Sequence, residues 1–172
     1  MKDFISLAKE RYSVRAFSDK KVEDEKLALL LEAAKVAPTA CNYQPYKLYV
    51  AKTDKALATL ASLTPCTFGA PLVFVVCYDE TKSAHGLLAE GYDFGTTDAT
   101  IVAAHIVLEA ADLGLGSCFV GRFKEKDVKD ALSLPENIRV RLLIPVGYPA
   151  ENCVPNPRHT DYRPTNETVE II

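Results

Sequence analysis

Arg11, Ser13 and Arg15 set two guanidinium groups and a hydroxyl at alternate positions of one short stretch, Arg11-Tyr12-Ser13-Val14-Arg15. If the stretch is extended, alternate side chains leave the backbone on the same side, and all three converge on one point. The chemistry of such a set is anion binding. Arginine grips phosphate through two parallel hydrogen bonds, which fix geometry as well as charge. On spacing alone, a solvated basic turn explains the stretch more simply, because exposed arginines are common.

Two further segments carry polar or permissive chemistry. Pro38-Thr39-Ala40-Cys41-Asn42-Tyr43-Gln44-Pro45-Tyr46 packs short hydrogen-bonding side chains between two prolines. It presents donors and acceptors with little backbone freedom, although an ordinary helix-to-strand connection has the same composition. Gly114-Leu115-Gly116-Ser117-Cys118-Phe119-Val120-Gly121-Arg122-Phe123 has glycines that let a backbone approach a flat ligand closely. It is neither a P-loop nor the dinucleotide fingerprint, since the spacing differs and no strand is expected before it. Cys41, Cys66, Cys77, Cys118 and Cys153 form no CxxC pair, and His85, His105 and His159 are scattered, so no disulfide framework or metal site is expected.

These segments need elements to hold them. Residues 3–10 read as a short helix with Phe4, Ile5, Leu7 and Ala8 inward. From Asp24 to Val36, Leu27, Leu30, Leu31 and Ala34 fall at i, i+3, i+4 and i+7, an amphipathic stripe that Pro38 ends. Lys47–Val50 reads as a strand and 53–63 as a helix. Pro71–Tyr78 is a continuous apolar run, expected as a fully buried central strand. Residues 97–113 form a helix apolar on most faces, capped by Gly114 and therefore buried in a core or an interface. A short helix over 124–132 and a strand over 139–146 follow. From Pro149 to Pro164 little forms a core, and Val169-Glu170-Ile171-Ile172 is β-prone without a hairpin partner. A tail this long makes sense if it crosses a second subunit and adds an edge strand there.

The whole has 172 residues, 48% of them apolar, and a net charge of −3, which fits one domain with a substantial core. That near-neutral balance argues against nucleic acid or an anionic membrane as partner. The longest apolar run is too short to span a bilayer, and the first residues lack a signal-peptide stretch, so a cytoplasmic location is expected.

In order, Arg-x-Ser-x-Arg at 11–15, Ala-Pro-Thr-x-x-Asn-x-Gln-Pro at 37–45, Gly-Leu-Gly-Ser-Cys-Phe-Val-Gly at 114–121 and Pro-x-Pro-Arg at 155–158 resemble the signature segments of the nitroreductase family of FMN enzymes. The resemblance runs over residues 4–163. It implies an α+β fold, a mainly antiparallel central sheet flanked by helices, as one domain over 1–172. It also implies an intertwined homodimer, with the tail from about 149 reaching over the partner subunit and two FMN sites at the interface. In that reading Arg11 and Ser13 hold the FMN phosphate beside Tyr12, and Arg158 reaches it from the tail. Arg15 lies near the flavin N1 and O2 edge, where a cation stabilises the charge of reduced flavin. Pro38, Thr39, Ala40, Cys41 and Asn42 come from the other subunit to line the ring, with Gln44 nearby. Backbone groups at Val120, Gly121 and Arg122 face the flavin N5 and O4.

Three features depart from the family pattern. Tyr46 stands where members often have Trp, Thr39 where they have Ser, and Asn156 where some carry a second basic phosphate ligand. The stretch 78–93 is too short for the lid helices of longer members. The implied activity is a ping-pong reduction of nitroaromatics, quinones or similar acceptors by NAD(P)H, with no catalytic side chain required; Tyr12, Tyr43 and Cys41 are candidates by location alone. Another flavin reaction on the same fold (oxidase, dehalogenase or flavin fragmentation) and a non-catalytic flavin-binding dimer stand as alternatives.

Overall fold

The computed structural model describes residues 3–85 and 91–172. Its centre is an antiparallel sheet of β1 (Tyr46–Ala51), β2 (Leu72–Asp79), β3 (Gly116–Ser117) and β4 (Ile138–Gly147), in the order β1-β2-β4-β3. The helices are α1 (Phe4–Glu10), α2 (Asp24–Lys35), α3 (Asp54–Leu63), α4 (Gly95–Asp112), α5 (Glu125–Leu132) and the one-turn α6 (Thr165–Thr168). The expected α+β architecture is thus present.

β2 has no polar alternation because both of its faces are covered. Leu72, Phe74, Val76 and Tyr78 point into one core with Leu30 and Ala34 of α2 and Val102, Ile106 and Val107 of α4. Val73, Val75 and Cys77 point into the other, with Leu60 of α3, Val128 of α5, Cys118 and Val120. Burial on both sides is what a continuous apolar run requires of a strand. β4 begins with Arg139 and Arg141 facing outward and turns wholly apolar where it crosses the centre.

α4 ends as its sequence demands. Gly114 takes φ +72°, its N–H reaches Ala111 O at 3.1 Å, and Leu115 N–H reaches Ala110 O at 2.7 Å. That is a Schellman cap, and it turns the chain directly into β3.

Two expectations are corrected. Phe4 and Ile5 do not face inward; they are 64% and 58% exposed. Leu31, expected on the buried stripe of α2, is exposed, while Leu30 and Ala34 are fully buried. The reason is that nothing among the described residues covers the outer faces of α1 and α2. Phe4, Leu7, Leu29, Ala33, Val36 and Leu108 instead line an open apolar hollow of about 590 Å³. As expected of an end without a hairpin partner, Val169–Ile172 joins no strand among the described residues, and its two isoleucines are fully exposed. The lid expectation for 78–93 falls partly on 86–90, outside the described residues. No helix of the described residues is long and apolar enough to cross a membrane.

Candidate functional site

The Arg11–Arg15 stretch is extended, as its alternation requires, and is held at both edges. Arg11 caps α1, its N–H bonding Leu7 O at 3.0 Å. Ser13 makes a parallel bridge to Ser117 of β3, and Val14 N–H donates to Ser117 O at 3.0 Å. Beyond it, Phe17 bridges Pro149, and Ala150 N–H donates to Ala16 O. The stretch therefore lies beside the end of the sheet rather than in solvent. Arg11, Ser13 and Arg15 all act on one buried thiol. Burial raises the pKa of Cys118, while a hydrogen bond from Ser13 and the charges of Arg15 and Arg11 oppose that shift.

The tail returns to the same place. Tyr12 Oη donates to Cys153 O at 3.1 Å, His159 Nε2 donates to Lys9 O at 2.8 Å, and the Tyr12 and His159 rings meet edge to face at 6.1 Å. Burial pushes the Tyr12 phenol above its ordinary pKa. Arg158 is thereby carried to the C-terminal end of α1. Asn156 caps the turn that carries it, Oδ1 accepting from Arg158 N–H at 3.0 Å. Asn156 thus shapes the approach of a cation where family members can have a second one. Among the described residues Arg11, Arg15 and Arg158 have no carboxylate partner, whereas Arg139 pairs with Glu80 and Arg163 with Glu167. Cations without carboxylates, a hydroxyl between them and exposed backbone nearby fit the phosphate of a flavin mononucleotide.

The glycine-rich segment divides by role. At Gly116 a Cβ would sit 2.5 Å from Val14 Cγ2, so this glycine lets the Arg11–Arg15 stretch lie against β3 rather than admitting a ligand. At Gly121 a Cβ would meet nothing within 4 Å. Val120 N–H and C=O both pair with Leu143, and Arg122 O accepts from Thr64 Oγ1 at 2.6 Å. No bond recorded among the described residues engages the N–H of Phe119, Gly121, Arg122 or Phe123, so Gly121 and Arg122 are among the segment's available donors.

The 38–46 loop is built differently. Cys41, Asn42 and Gln44 take φ of +51°, +56° and +50°, left-handed conformations that side chains disfavour. Thr39 Oγ1 accepts from Gln44 N–H at 3.0 Å, and Gln44 Nε2 donates to Asn42 O at 3.2 Å. At its base Ala40 N–H donates to Asp98 Oδ1 at 2.9 Å, and Pro45 O accepts from Asp79 N–H at 2.8 Å. Asp98 is 1% exposed, and its Oδ2 has no partner among the described residues. Burial raises its pKa, and the Ala40 N–H opposes that shift. Pro38, Cys41, Asn42 and Gln44 are exposed.

The loop and the arginine stretch stand at opposite ends of the molecule. Asp98, which holds the loop, and Asp112, which precedes β3, are fourteen residues apart on α4, about 21 Å at the helical rise. The sheet gives the same separation. Asp79 meets Pro45 at one end of β2, and Leu72 lies across Val146 from Ser117 at the other, about 23 Å away at the strand rise. The chain joins Arg11, Tyr12, Ser13, Arg15 and Arg158, with Val120–Arg122 along the adjoining edge of β4, but does not bring Pro38–Gln44 to them. A cavity of about 720 Å³ between α2 and α3 includes none of these residues.

Sequence reasoning missed Asp98, His159 and Cys118. Asp98 had a readable signal, a carboxylate in the first turn of a helix otherwise apolar on most faces. The roles of His159 and Cys118 depend on contacts that no local pattern announces.

A family model described as the nitroreductase family matches residues 8–65 and 62–148. A nitroreductase family protein from Clostridium difficile 630 is 34% identical, with 98% of each chain covered and a TM-score of 0.91. A protein from Archaeoglobus fulgidus with the provisional name NADH dehydrogenase/NAD(P)H nitroreductase is 31% identical over 88% of each chain. An FMN-dependent nitroreductase from Clostridium difficile R20291 is 28% identical, with 98% of each chain covered and a TM-score of 0.79.

Proposed function

Because the chain belongs to the nitroreductase family, we propose that it is an FMN-dependent oxidoreductase passing reducing equivalents from NAD(P)H to a small acceptor such as a nitroaromatic or quinone. The observation that carries this reading is the meeting of Arg11, Ser13, Arg15 and the Arg158 turn, whose arginines have no carboxylate partner among the described residues. When bound, FMN supplies two-electron chemistry at its N5.

The chain's own residues grip and orient. Arg11, Ser13 and Arg158 hold the phosphate, with Tyr12 fixing the tail that carries Arg158. Arg15 places positive charge at the N1 and O2 edge, where it favours the reduced, more negative cofactor. Gly121 N–H and Arg122 N–H would serve the flavin N5 and O4, and the missing side chain at Gly121 would leave room for the ring. Pro38–Asn42 and Gln44 line the ring of the partner subunit's site. Their distance from the arginines within one chain supports that exchange, and the uncovered apolar hollow on α1 and α2 supports a homodimer of one-domain chains whose tails cross. A single site of this kind would take donor and acceptor one after the other, a ping-pong order.

The test is optical. Purified protein should carry a flavin spectrum that bleaches anaerobically on adding NADH or NADPH, and R11A/R158A should lose the flavin, since two charge-assisted contacts go. Protein that is colourless and cannot be reconstituted with FMN overturns the reading.

A further inference from the structure

We propose that Asp98 is a positioning residue for the flavin-facing loop, its carboxylate holding Ala40 N–H so that residues 40–44 keep the left-handed turn that presents Cys41, Asn42 and Gln44. This rests on the reading that the loop lines the ring.

The turn needs an external hold. Three non-glycine residues within four positions have positive φ, and such backbone persists only where its surroundings over-determine it. Within the loop, Thr39 and Gln44 tie the turn to itself but not to the rest of the protein. Among the described residues two hydrogen bonds anchor it: Pro45 O to the end of β2 and Ala40 N–H to Asp98. The first lies beside Gln44 and the second beside Cys41, so each end of the strained run has its own hold, and the Cys41 end rests on Asp98.

The placement of Asp98 points the same way. It lies in the first turn of the eighteen-residue α4, where free helix N–H groups favour a carboxylate. Yet no N–H of that turn is recorded on it. One oxygen goes to the loop, and the other is buried without a partner among the described residues. A buried carboxylate kept at a cost, whose one recorded bond crosses to a strained loop, is explained by the loop. The cap of α4 is served by Asp93, whose Oδ1 accepts from Gly95 N–H at 2.8 Å. Asp98 is not required there.

The experiment compares D98N, which keeps an oxygen for Ala40, with D98A, which does not. A40P removes the donor instead and suits the first position of a helical turn. In cofactor-free protein, Ala40 amide exchange measured by NMR should quicken about tenfold or more in D98A and stay near wild type in D98N. In FMN-loaded protein, D98A and A40P should lower kcat/KM for p-benzoquinone by about tenfold or more, because ring-lining groups are misplaced. FMN affinity should change little, since the phosphate grip lies at the other end of α4. D98N should recover most of the loss. Wild-type amide exchange in D98A overturns the proposal, as does D98N failing as badly as D98A. If D98A does not fold, A40P decides alone: wild-type kcat/KM in it overturns the proposal. Failure of wild-type protein to bind FMN would instead sink the functional reading and leave the amide-exchange result to decide the loop's anchor.

Discussion

Tyr12 Oη donates to Cys153 O at 3.1 Å, joining residues 141 positions apart and closing the tail onto the N-terminal stretch. Tyr12→Phe removes only the hydroxyl. Stability should fall by about 1 kcal/mol in urea denaturation, the net worth of a typical hydrogen bond. FMN affinity, followed by flavin fluorescence, should weaken several-fold, because the Arg158 turn would lose one of its two side-chain ties to the N-terminal stretch among the described residues. Unchanged FMN affinity in Y12F would show that the clasp does not serve the phosphate grip.

Two glycines of one segment should separate packing from chemistry. In Gly116→Ala the new methyl meets Val14 at 2.5 Å. The variant should lose about 1–3 kcal/mol, the range for overpacking. The double variant V14A/G116A should lose less than the sum of the two single changes, because the clash is shared. Gly121→Ala meets no non-neighbouring atom of the described residues within 4 Å. It should melt like wild type yet slow bleaching of the flavin by NADH, measured by stopped flow. If G121A reduces at the wild-type rate, the backbone there does not face the ring.

These contrasts show what was readable in the residues alone. Pro71–Tyr78 announced a strand covered on both faces, because no polar residue interrupts it, and α4 announced burial and its glycine cap. The Arg-x-Ser-x-Arg alternation announced convergence, and the fold supplied the extended backbone that convergence needs. The faces of α1 and α2 were misread at Phe4, Ile5 and Leu31, since periodicity reports an apolar stripe and not which chain covers it. Gly116 was grouped with Gly121, though the first answers to Val14 and only the second to open space. The tethers through His159 and Asp98 join residues 150 and 58 positions from their partners, separations that local patterns do not span.

Acid should weaken the fold through Asp79. Its carboxylate accepts from Thr81 Oγ1 and Asn137 Nδ2, and these bonds hold its pKa down, to about 2. A depressed folded pKa stabilises above the ordinary value of 3.8 and loses that contribution as pH falls toward 2. Denaturation midpoints should therefore drop between pH 4 and pH 2 in wild type and less steeply in Asp79→Asn. Parallel curves for the two proteins would exclude Asp79 as the source.

Asp98 should act with the opposite sign. Burial raises its folded pKa above 3.8, so its ionised form opposes folding at neutral pH and acidification relieves that penalty. Asp98→Asn should match wild-type stability at low pH and exceed it as pH rises toward 7, measured by thermal melts across that range. A stability difference that does not vary with pH would show that ionisation of Asp98 carries no such cost.

The separation of Pro38–Gln44 from Arg11 and Arg158 makes subunit exchange testable by complementation. One chain carries R11A/R158A, and the other carries N42A/Q44A, with only the loop damaged. If each site takes its arginines from one subunit and its loop from the other, a mixed dimer has one doubly damaged site and one intact site. Differently tagged chains, co-expressed and purified through both tags, should then recover about half of the wild-type turnover per dimer, although neither parent dimer turns over well. If each site were built within one chain, both sites of the mixed dimer would be damaged and no activity would return. The estimated span of about 21 Å along α4 favours the first outcome, because side chains cannot bridge that distance within one chain.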